Sequence, residues 1–100
     1  MNNSSCFTRW RFYTEHVNTT FIREEVAKTF PDGANITYGH GVWEGGEEST
    51  LVIEVITETL SLFEAEQFAE RIRKKNNQEA VLISWDSVFT MLVTENTNES

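Results

Sequence analysis

The sequence predicts a single α+β domain, and three observations support that prediction. Residues 6–14 alternate between two faces as a strand does, two later segments repeat apolar residues at helical spacing, and residues 49–57 read as an apolar strand. A chain of 100 residues matches the usual size of one domain. We expect residues 6–94 to form it, and the polar, aperiodic segments 1–5 and 95–100 to be disordered tails.

The first strand and the first helix are predicted between residues 6 and 30. The strand separates one face (Thr8, Trp10, Phe12 and Thr14) from the other (Arg9, Arg11 and Tyr13). Asn18 is placed to cap a helix over residues 19–30. The apolar stripe of this helix comprises Phe21, Ile22, Val26, Ala27 and Phe30. Pro31-Asp32-Gly33 then ends it, because a proline followed by turn residues cannot continue a helix.

The middle of the chain predicts a β-hairpin followed by a second helix. Residues 35–43 and 49–57 are the two strands, and residues 44–48 (EGGEE) are the loop that joins them, with Gly45-Gly46 at the turn. Ser61 and Glu64 have the spacing of a capping box, which marks a helix start. That helix is expected to run to about residue 77, with its inward face formed by Ala65, Phe68, Ala69 and Ile72.

Two further strands complete the predicted domain. Residues 79–85 form one strand, Asp86-Ser87 a turn, and residues 88–94 a shorter, extra C-terminal strand. The order β-α-β-β-α-β is that of a ferredoxin-like fold, in which both helices cover one face of the sheet. The open face would carry Arg9, Arg11, Tyr13, Val52, Glu54 and Ile56. A face that mixes charged and apolar groups suits a subunit interface, so we expect a homo-oligomer, a trimer or a dimer.

Composition excludes several classes of partner. The net charge of −8 argues against nucleic acid and anionic membranes, which bind basic surfaces. No apolar run approaches the roughly 18 residues of a membrane span, and the start of the chain lacks the pattern of a secretion signal, so a cytoplasmic setting is expected. Cys6 is the only cysteine, and His16 and His40 have no evident third ligand, so neither a disulfide nor a metal site is expected.

Four of the five glycines lie between Gly39 and Gly46, in TYGHGVWEGGEES. A hairpin turn explains the last two, but Gly39 and Gly41 alternate along one strand face beside Trp43. Glycine inside a strand marks either a bulge or the close approach of another group. Both alternatives stay open: a plain bulge, or a bare groove ended by an indole that would hold a planar ligand.

Two polar pairs could complete such a site. Glu47-Glu48 are either solvated charges at a loop tip or ligands for ribose hydroxyls or an amino group. Gln78-Glu79 precede an apolar run and are either ordinary loop residues or a second set of polar contacts. The full candidate ligand-binding set is Tyr38, Gly39, Gly41, Trp43, Glu47, Glu48, Gln78 and Glu79.

The pattern Gly41-x-Trp43-x-Gly45-x-x-Glu48, followed by a strand, a helix and Gln78-Glu79-Ala80-Val81-Leu82, resembles the small phage S-adenosylmethionine lyases. The resemblance covers roughly residues 36–85. It implies a PII-like trimeric fold with the ligand between subunits, where Glu48 and Glu79 would help to hold the substrate. The lyases carry a tyrosine at the position of Trp43 and a longer turn before the glutamate.

Three functions follow from these observations. The first is an oligomeric, phage-type protein that binds or sequesters an adenine-containing nucleotide or metabolite in the host cytoplasm and so counters host defence. The second is a lyase that converts S-adenosylmethionine to methylthioadenosine and homoserine lactone, with Glu48 and Glu79 in the catalytic site. The third is an acidic protein-interaction module. None of them requires a cofactor.

Overall fold

A computed structural model describes residues 4–95 of the chain. The elements are β1 (Ser4–Glu15), α1 (Thr19–Thr29), β2 (Asn35–Trp43), β3 (Gly46–Thr57), α2 (Leu62–Asn76) and β4 (Leu82–Met91). The four strands form one antiparallel sheet in the order β2-β3-β1-β4. This is the predicted α+β, ferredoxin-like βαββαβ arrangement. Because β1 begins at Ser4, the last two residues of the predicted N-terminal tail are in a strand. Residues 1–3 and 96–100, the rest of the predicted tails, lie outside the described residues.

The core lies between the two helices and one face of the sheet. It is formed by Trp10, Phe12, Ile22, Val26, Phe30, Leu51, Ile53, Val55, Ala65, Phe68, Ala69 and Ile72. At its centre the ring of Phe68 packs edge-on against Phe12 at 4.9 Å and Phe30 at 4.8 Å between centroids. Truncating so enclosed a ring to alanine costs about 3–5 kcal/mol. The alternation of residues along β1 and β3 therefore predicts the buried face correctly.

The helix stripes were predicted with one error. α2 buries the four expected residues Ala65, Phe68, Ala69 and Ile72. α1 buries Ile22 and Val26, but Glu25 takes the place expected for Ala27, which is exposed. Glu25 is tolerated there because Arg71 on α2 donates to its carboxylate at 2.9 Å. A paired carboxylate can enter the helix–helix contact that an apolar residue would otherwise fill.

The two helix starts also differ. Ser61 and Glu64 form the predicted capping box, with Glu64 N–H donating to Ser61 Oγ at 3.1 Å and Ser61 N–H to Glu64 Oε1 at 3.0 Å. Asn18 occupies the N-cap position of α1 but makes no side-chain cap. Its amide donates instead to Lys75 O and Asn76 Oδ1, at 3.3 and 2.9 Å. Asn18 therefore joins the start of α1 to the end of α2.

The predicted extra C-terminal strand is wrong. Asp86-Ser87 is not a turn: both residues lie inside the ten-residue β4, which pairs with β1 from Ser4↔Met91 to Tyr13↔Leu82. The polar pair is accommodated because Asp86 is directly opposite Arg9 and accepts two hydrogen bonds from its guanidinium, at 2.7 and 3.1 Å. A cross-strand ion pair therefore replaces the turn that the sequence pattern suggested.

Among residues 4–95, no helix covers the second face of the sheet. The pairing register places all six predicted residues there: Arg9 opposite Ile56, Arg11 opposite Glu54 and Tyr13 opposite Val52. Arg11 donates to Glu54 at 2.9 Å, and the side chain of Ile56 remains 44% exposed. We call this surface the open face.

The β2–β3 hairpin is longer than predicted, and its loop is shorter. Trp43 pairs with Gly46, so the loop is only Glu44-Gly45, both with positive φ, at 50° and 79°. This is the type I′ geometry that suits the twist of a two-residue hairpin. The predicted loop residues Gly46 to Glu48 belong to β3. The pairing of β3 with β1 stops at Thr50, so residues 40–49 extend past the three-strand part of the sheet as the projecting hairpin.

None of the helices within residues 4–95 combines the length and apolar character needed to cross a membrane.

Candidate functional site

The β2–β3 hairpin carries six of the eight candidate residues, divided between its two faces. Side chains alternate along a strand, and Tyr38 pairs with the buried Leu51, so Tyr38 lies on the side of the helices. Gly39, Gly41 and Trp43 consequently belong to the open face, together with Glu48, which is opposite Gly41. Glu47 is on the helix side. The eight candidates therefore do not form one cluster within a single chain.

Gly39 and Gly41 have a partner within the chain, Thr50 of β3. A β-carbon on Gly39 would lie 2.8 Å from Thr50 Oγ1, and one on Gly41 would lie 2.9 Å from Thr50 Cγ2. Either separation is shorter than a normal van der Waals contact, so a larger residue requires Thr50 to move. The close approach of Thr50 thus accounts for both glycines without a bulge. Because the glycines have no side chains, the surface between Thr50 and Trp43 is low, and we call it the low surface.

Trp43 and Glu48 border that low surface and are both exposed. The side chain of Trp43 is 68% accessible at the last pair before the turn. An indole so placed keeps a whole ring face available for stacking. Glu48 is two strand positions before Thr50, on the same face. The open face of the hairpin therefore offers an aromatic plane and one carboxylate beside the low surface formed by the two glycines and the Thr50 side chain.

Tyr38 and Glu47 make contacts on the helix side. The ring of Tyr38 lies 4.9 Å from that of His16, and its hydroxyl accepts from Arg23 at 3.2 Å. Glu47 Oε1 lies 3.3 Å from His40 Nε2. These residues are separated by the sheet from Gly41, Trp43 and Glu48, so they belong to a different surface.

Gln78 is engaged in holding the α2–β4 loop. Its Oε1 accepts from the Thr14 hydroxyl and from Asn76 Nδ2, each at 2.6 Å, and from Glu15 N–H at 3.3 Å. Thr14 is only 3% exposed, so this acceptor satisfies a buried donor. The role of Gln78 in the chain itself is thus to fasten the loop to the end of β1.

Glu79 is next to this anchor and exposed, in the loop ahead of β4 rather than at the head of the strand. The anchor places the loop at the same end of the sheet as the base of the hairpin, because Glu15, which donates to Gln78, also pairs with Thr50. β1 lies between β3 and β4, so Glu48 and Glu79 approach this end from opposite sides of the central strand.

Two clefts among the described residues lie away from the candidate residues. One of about 360 Å³, between α2 and β4, is lined by Glu66, Gln67, Ala69, Glu70, Arg73, Val81 and Ile83. Another of about 260 Å³, around Pro31 and Leu60, also contains none of the candidate residues. Within residues 4–95, no group of three or more His, Cys, Asp and Glu side chains is arranged to hold a metal ion. Neither of these two clefts coincides with the candidate residues.

Sequence reasoning missed three polar residues beside Tyr38. His16, Arg23 and Ser49 come from a loop, a helix and a strand, and no short motif connects them. The imidazole Nδ1 of His16 lies 3.4 Å from Ser49 Oγ, and His16 N–H donates to Ser49 O at 3.1 Å. Only the folded hairpin brings these positions together, so periodicity gave no signal for them.

Comparison with known proteins places the fold. The sequence matches no protein-family model and no curated protein. The structure is similar to the PII-like protein CPII of Thiomonas intermedia K12 bound to ADP, AMP and bicarbonate, with a TM-score of 0.64 at 9% identity over 91% of this chain and 99% of that one. It is also similar to a Bacillus subtilis GlnK–ATP complex, with a TM-score of 0.62 at 15% identity over 88% and 84% of the two chains.

A phage S-adenosylmethionine lyase in its apo state is similar as well. Its TM-score is 0.50 at 12% identity, and the match covers 95% of this chain and 94% of that one. The identities are too low to carry a function, but the coverage extends across the whole domain in each case. The chain has a PII-like fold that resembles that of a phage S-adenosylmethionine lyase.

Proposed function

We propose that this chain is a small, oligomeric PII-like protein that binds an adenine-containing nucleotide or metabolite between subunits. The observation that carries the proposal is the open face of the projecting hairpin. There Gly41, Trp43 and Glu48 extend beyond the three-strand part of the sheet, next to Gly39 at its edge, with no element above them among the described residues. A second subunit packed against this exposed surface would supply the other side of a binding site.

The chemistry of these residues suits an adenine-containing ligand. The exposed indole of Trp43 can stack on a purine. The carboxylate of Glu48 can accept hydrogen bonds from ribose hydroxyls or an amino group. Glu79 of a neighbouring chain would supply a second acceptor, since its loop is anchored at the end of the sheet where the hairpin begins. The nucleotides bound to the CPII and GlnK structures support this ligand class.

The open face also supports assembly of the chain into a homo-oligomer. Its ion pairs, Arg9–Asp86 and Arg11–Glu54, neutralise the charges across the strands and leave apolar groups such as Ile56 between them. Charges that are paired within the chain cost less to bury against a second copy than unpaired charges would. A trimer is the closed arrangement that we favour. In a phage-type protein, sequestering an adenine-containing signal in this way would counter a host defence.

A second candidate is supported by the similarity to the phage lyase. In that reaction a carboxylate oxygen of S-adenosylmethionine attacks its own γ-carbon, the carbon–sulfur bond breaks, and methylthioadenosine leaves with the bonding electron pair. Homoserine lactone is the other product. The protein need only orient the substrate, and Glu48 and Glu79 are suited to hold its cationic groups. Trp43 would supply stacking but no hydroxyl at its position.

One experiment separates the two candidates. The purified protein is incubated with S-adenosylmethionine, ADP or ATP, and both the solution and the denatured protein are analysed by chromatography. Retained, unchanged adenine compound identifies a binder, whereas protein-dependent methylthioadenosine identifies a lyase. Trp43→Ala should abolish either result, while Trp85→Ala, which removes a comparably exposed indole from β4, should not. If no adenine compound is retained or converted, the proposal is wrong.

A further inference from the structure

The helix side of the hairpin base carries a second group of polar side chains, distinct from the surface around Trp43. It comprises His16, Arg23, Tyr38 and Ser49, whose side chains are connected in space by three contacts. Arg23 Nη2 donates to the Tyr38 hydroxyl at 3.2 Å, the rings of Tyr38 and His16 are 4.9 Å apart, and His16 Nδ1 lies 3.4 Å from Ser49 Oγ. We call it the His16–Arg23 cluster.

Arg23 differs from the other arginines of the chain. Arg9, Arg11, Arg71 and Arg73 each make an ion pair with a carboxylate, on Asp86, Glu54, Glu25 and Glu70 respectively. Among residues 4–95, Arg23 is the one arginine without such a pair, although the chain has twice as many acidic as basic residues. Its partner is a neutral hydroxyl. The Arg23 guanidinium therefore keeps N–H donors that no carboxylate among the described residues accepts from.

The acidic residues of α1 and of the helix side of the hairpin either have other partners or point in another direction. Glu25 binds Arg71 and Lys28, and Glu47 lies beside His40. Glu24 is adjacent to Arg23 in the helix, where successive side chains point in different directions. Within residues 4–95, no carboxylate therefore forms an ion pair with Arg23.

The cluster has the donors that an oxyanion requires. A guanidinium offers five N–H groups in a planar fork that matches two oxygens of a carboxylate or phosphate. The Ser49 hydroxyl and the imidazole of His16 add two further groups at the same surface, and Tyr38, 55% exposed, provides an aromatic side wall. The backbone bond from His16 N–H to Ser49 O, at 3.1 Å, fixes the loop against the hairpin and keeps the groups in register.

We propose that the His16–Arg23 cluster is a binding site for a small oxyanion, a carboxylate- or phosphate-bearing metabolite, separate from the adenine site of the open face. Arg23 supplies the charge and the bidentate contact, and Ser49 and His16 bind a further oxygen. Tyr38 orients the guanidinium. Because Tyr38 and Gly39 are neighbours on β2, an anion bound here contacts the base of the strand that carries Trp43.

Nuclear magnetic resonance titration of the whole chain with inorganic phosphate, and in parallel with succinate, tests the site. We expect saturable shifts of the Arg23 side-chain N–H and of the His16 ring, with no adenine compound present. Whichever anion binds more tightly identifies the class. Arg23→Gln should weaken binding at least tenfold, and Ser49→Ala several-fold. Lys28→Gln removes the same charge from the same helix and should change affinity less than twofold.

Three results would overturn this inference. The first is an absence of saturable shifts at millimolar anion. The second is an equal loss in Arg23→Gln and Lys28→Gln, which would mean general attraction by charge. The third is a fall in oligomer size in Arg23→Gln, which would mean that Arg23 pairs with an acid of another subunit. Since the titration uses no adenine compound, its failure leaves the proposed adenine site standing, and failure of that site leaves this one standing.

Discussion

Glu47 and Glu48 are adjacent in sequence but lie on opposite faces of the β2–β3 hairpin. Glu47 is opposite Val42 and contacts His40 on the helix side, whereas Glu48 is opposite Gly41 on the open face. At a loop tip, where the sequence placed them, Glu47 and Glu48 could both have bound one ligand. The strand geometry excludes that and assigns the carboxylates to separate surfaces.

The first prediction uses this separation. Glu48→Gln should weaken binding of an adenine-containing ligand about tenfold, because a charge-assisted hydrogen bond contributes about 1.5–3 kcal/mol. Glu47→Gln should leave that affinity within twofold, and it is a matched control with the same change one residue away. Isothermal titration calorimetry measures both. Equal losses would show that the ligand does not lie on the open face.

The second prediction concerns Gly41 and Thr50. Gly41→Ala should lower the free energy of unfolding by about 1–3 kcal/mol, because the new methyl group would lie 2.9 Å from Thr50 Cγ2. Thr50→Ala in the same chain removes that methyl contact and should recover most of the loss. Urea denaturation of the two single variants and the double variant gives the coupling energy. If the stability losses of the two single variants simply add in the double variant, contact with Thr50 does not explain the glycine at position 41.

The third prediction concerns assembly. Light scattering should give about three times the subunit mass of 11.5 kDa for the wild-type chain. Ile56→Asp, on the open face, should dissociate the oligomer. Leu62→Asp is the control, because Leu62 is similarly exposed, at 47% against 44%, but lies on α2 away from that face. A wild-type monomer would remove the basis for a site between subunits.

The fourth prediction follows from Glu48 and Glu79. If one site takes Glu48 from one chain and Glu79 from its neighbour, the variants Glu48→Gln and Glu79→Gln should each bind poorly. Subunit exchange between them should then restore both acids in about a quarter of the sites of a randomly mixed population, since each position is wild-type in half of the chains. Bound ligand per subunit is the measurement. No recovery after mass spectrometry confirms exchange would place both acids in one chain, or in no shared site.

The fifth prediction concerns Glu25 and acid stability. Its side chain is only 11% exposed, and the hydrogen bond from Arg71, aided by Lys28, holds the pKa of the carboxyl below its usual value. The unfolded chain therefore binds this proton at higher pH than the folded chain, so stability is full above the ordinary glutamate pKa of about 4.3 and falls as pH drops through the lower folded value. Thermal melts should show a shallower loss in Glu25→Gln than in the wild type. Glu66→Gln, on the exposed side of α2, should retain the wild-type profile.

The fold could be predicted from local patterns because its elements depend on local signals. The bounds of β2 and the capping box of α2 follow from alternation and from residue spacing that act within a few positions. The Asp86-Ser87 error arose because those residues look like a turn until Arg9 is placed opposite Asp86. A cross-strand partner far away in sequence reverses the local preference.

The candidate site was less predictable for the same reason. Gly39 and Gly41 are notable in the sequence, but the explanation for them is Thr50, which only the strand register brings near. Gln78 looks like a ligand-binding amide, yet its oxygen serves the buried Thr14. Polar groups used by a ligand and by the chain itself have the same residue types, and only tertiary contacts distinguish them.

The pairing of β3 with β1 ends at Thr50, while its pairing with β2 continues to the turn. A ribbon of two strands is only marginally stable by itself, whereas the three-strand part is secured by the core. Backbone amides at residues 40–48 should therefore exchange with deuterium through local opening, at a free energy well below that of global unfolding. Substitutions at exposed positions such as Trp43, unlike those at Gly41 beside Thr50, should therefore change the free energy of global unfolding little. If the proposed site lies here, its ligand preference can change through such positions while the core that stabilises the fold stays the same.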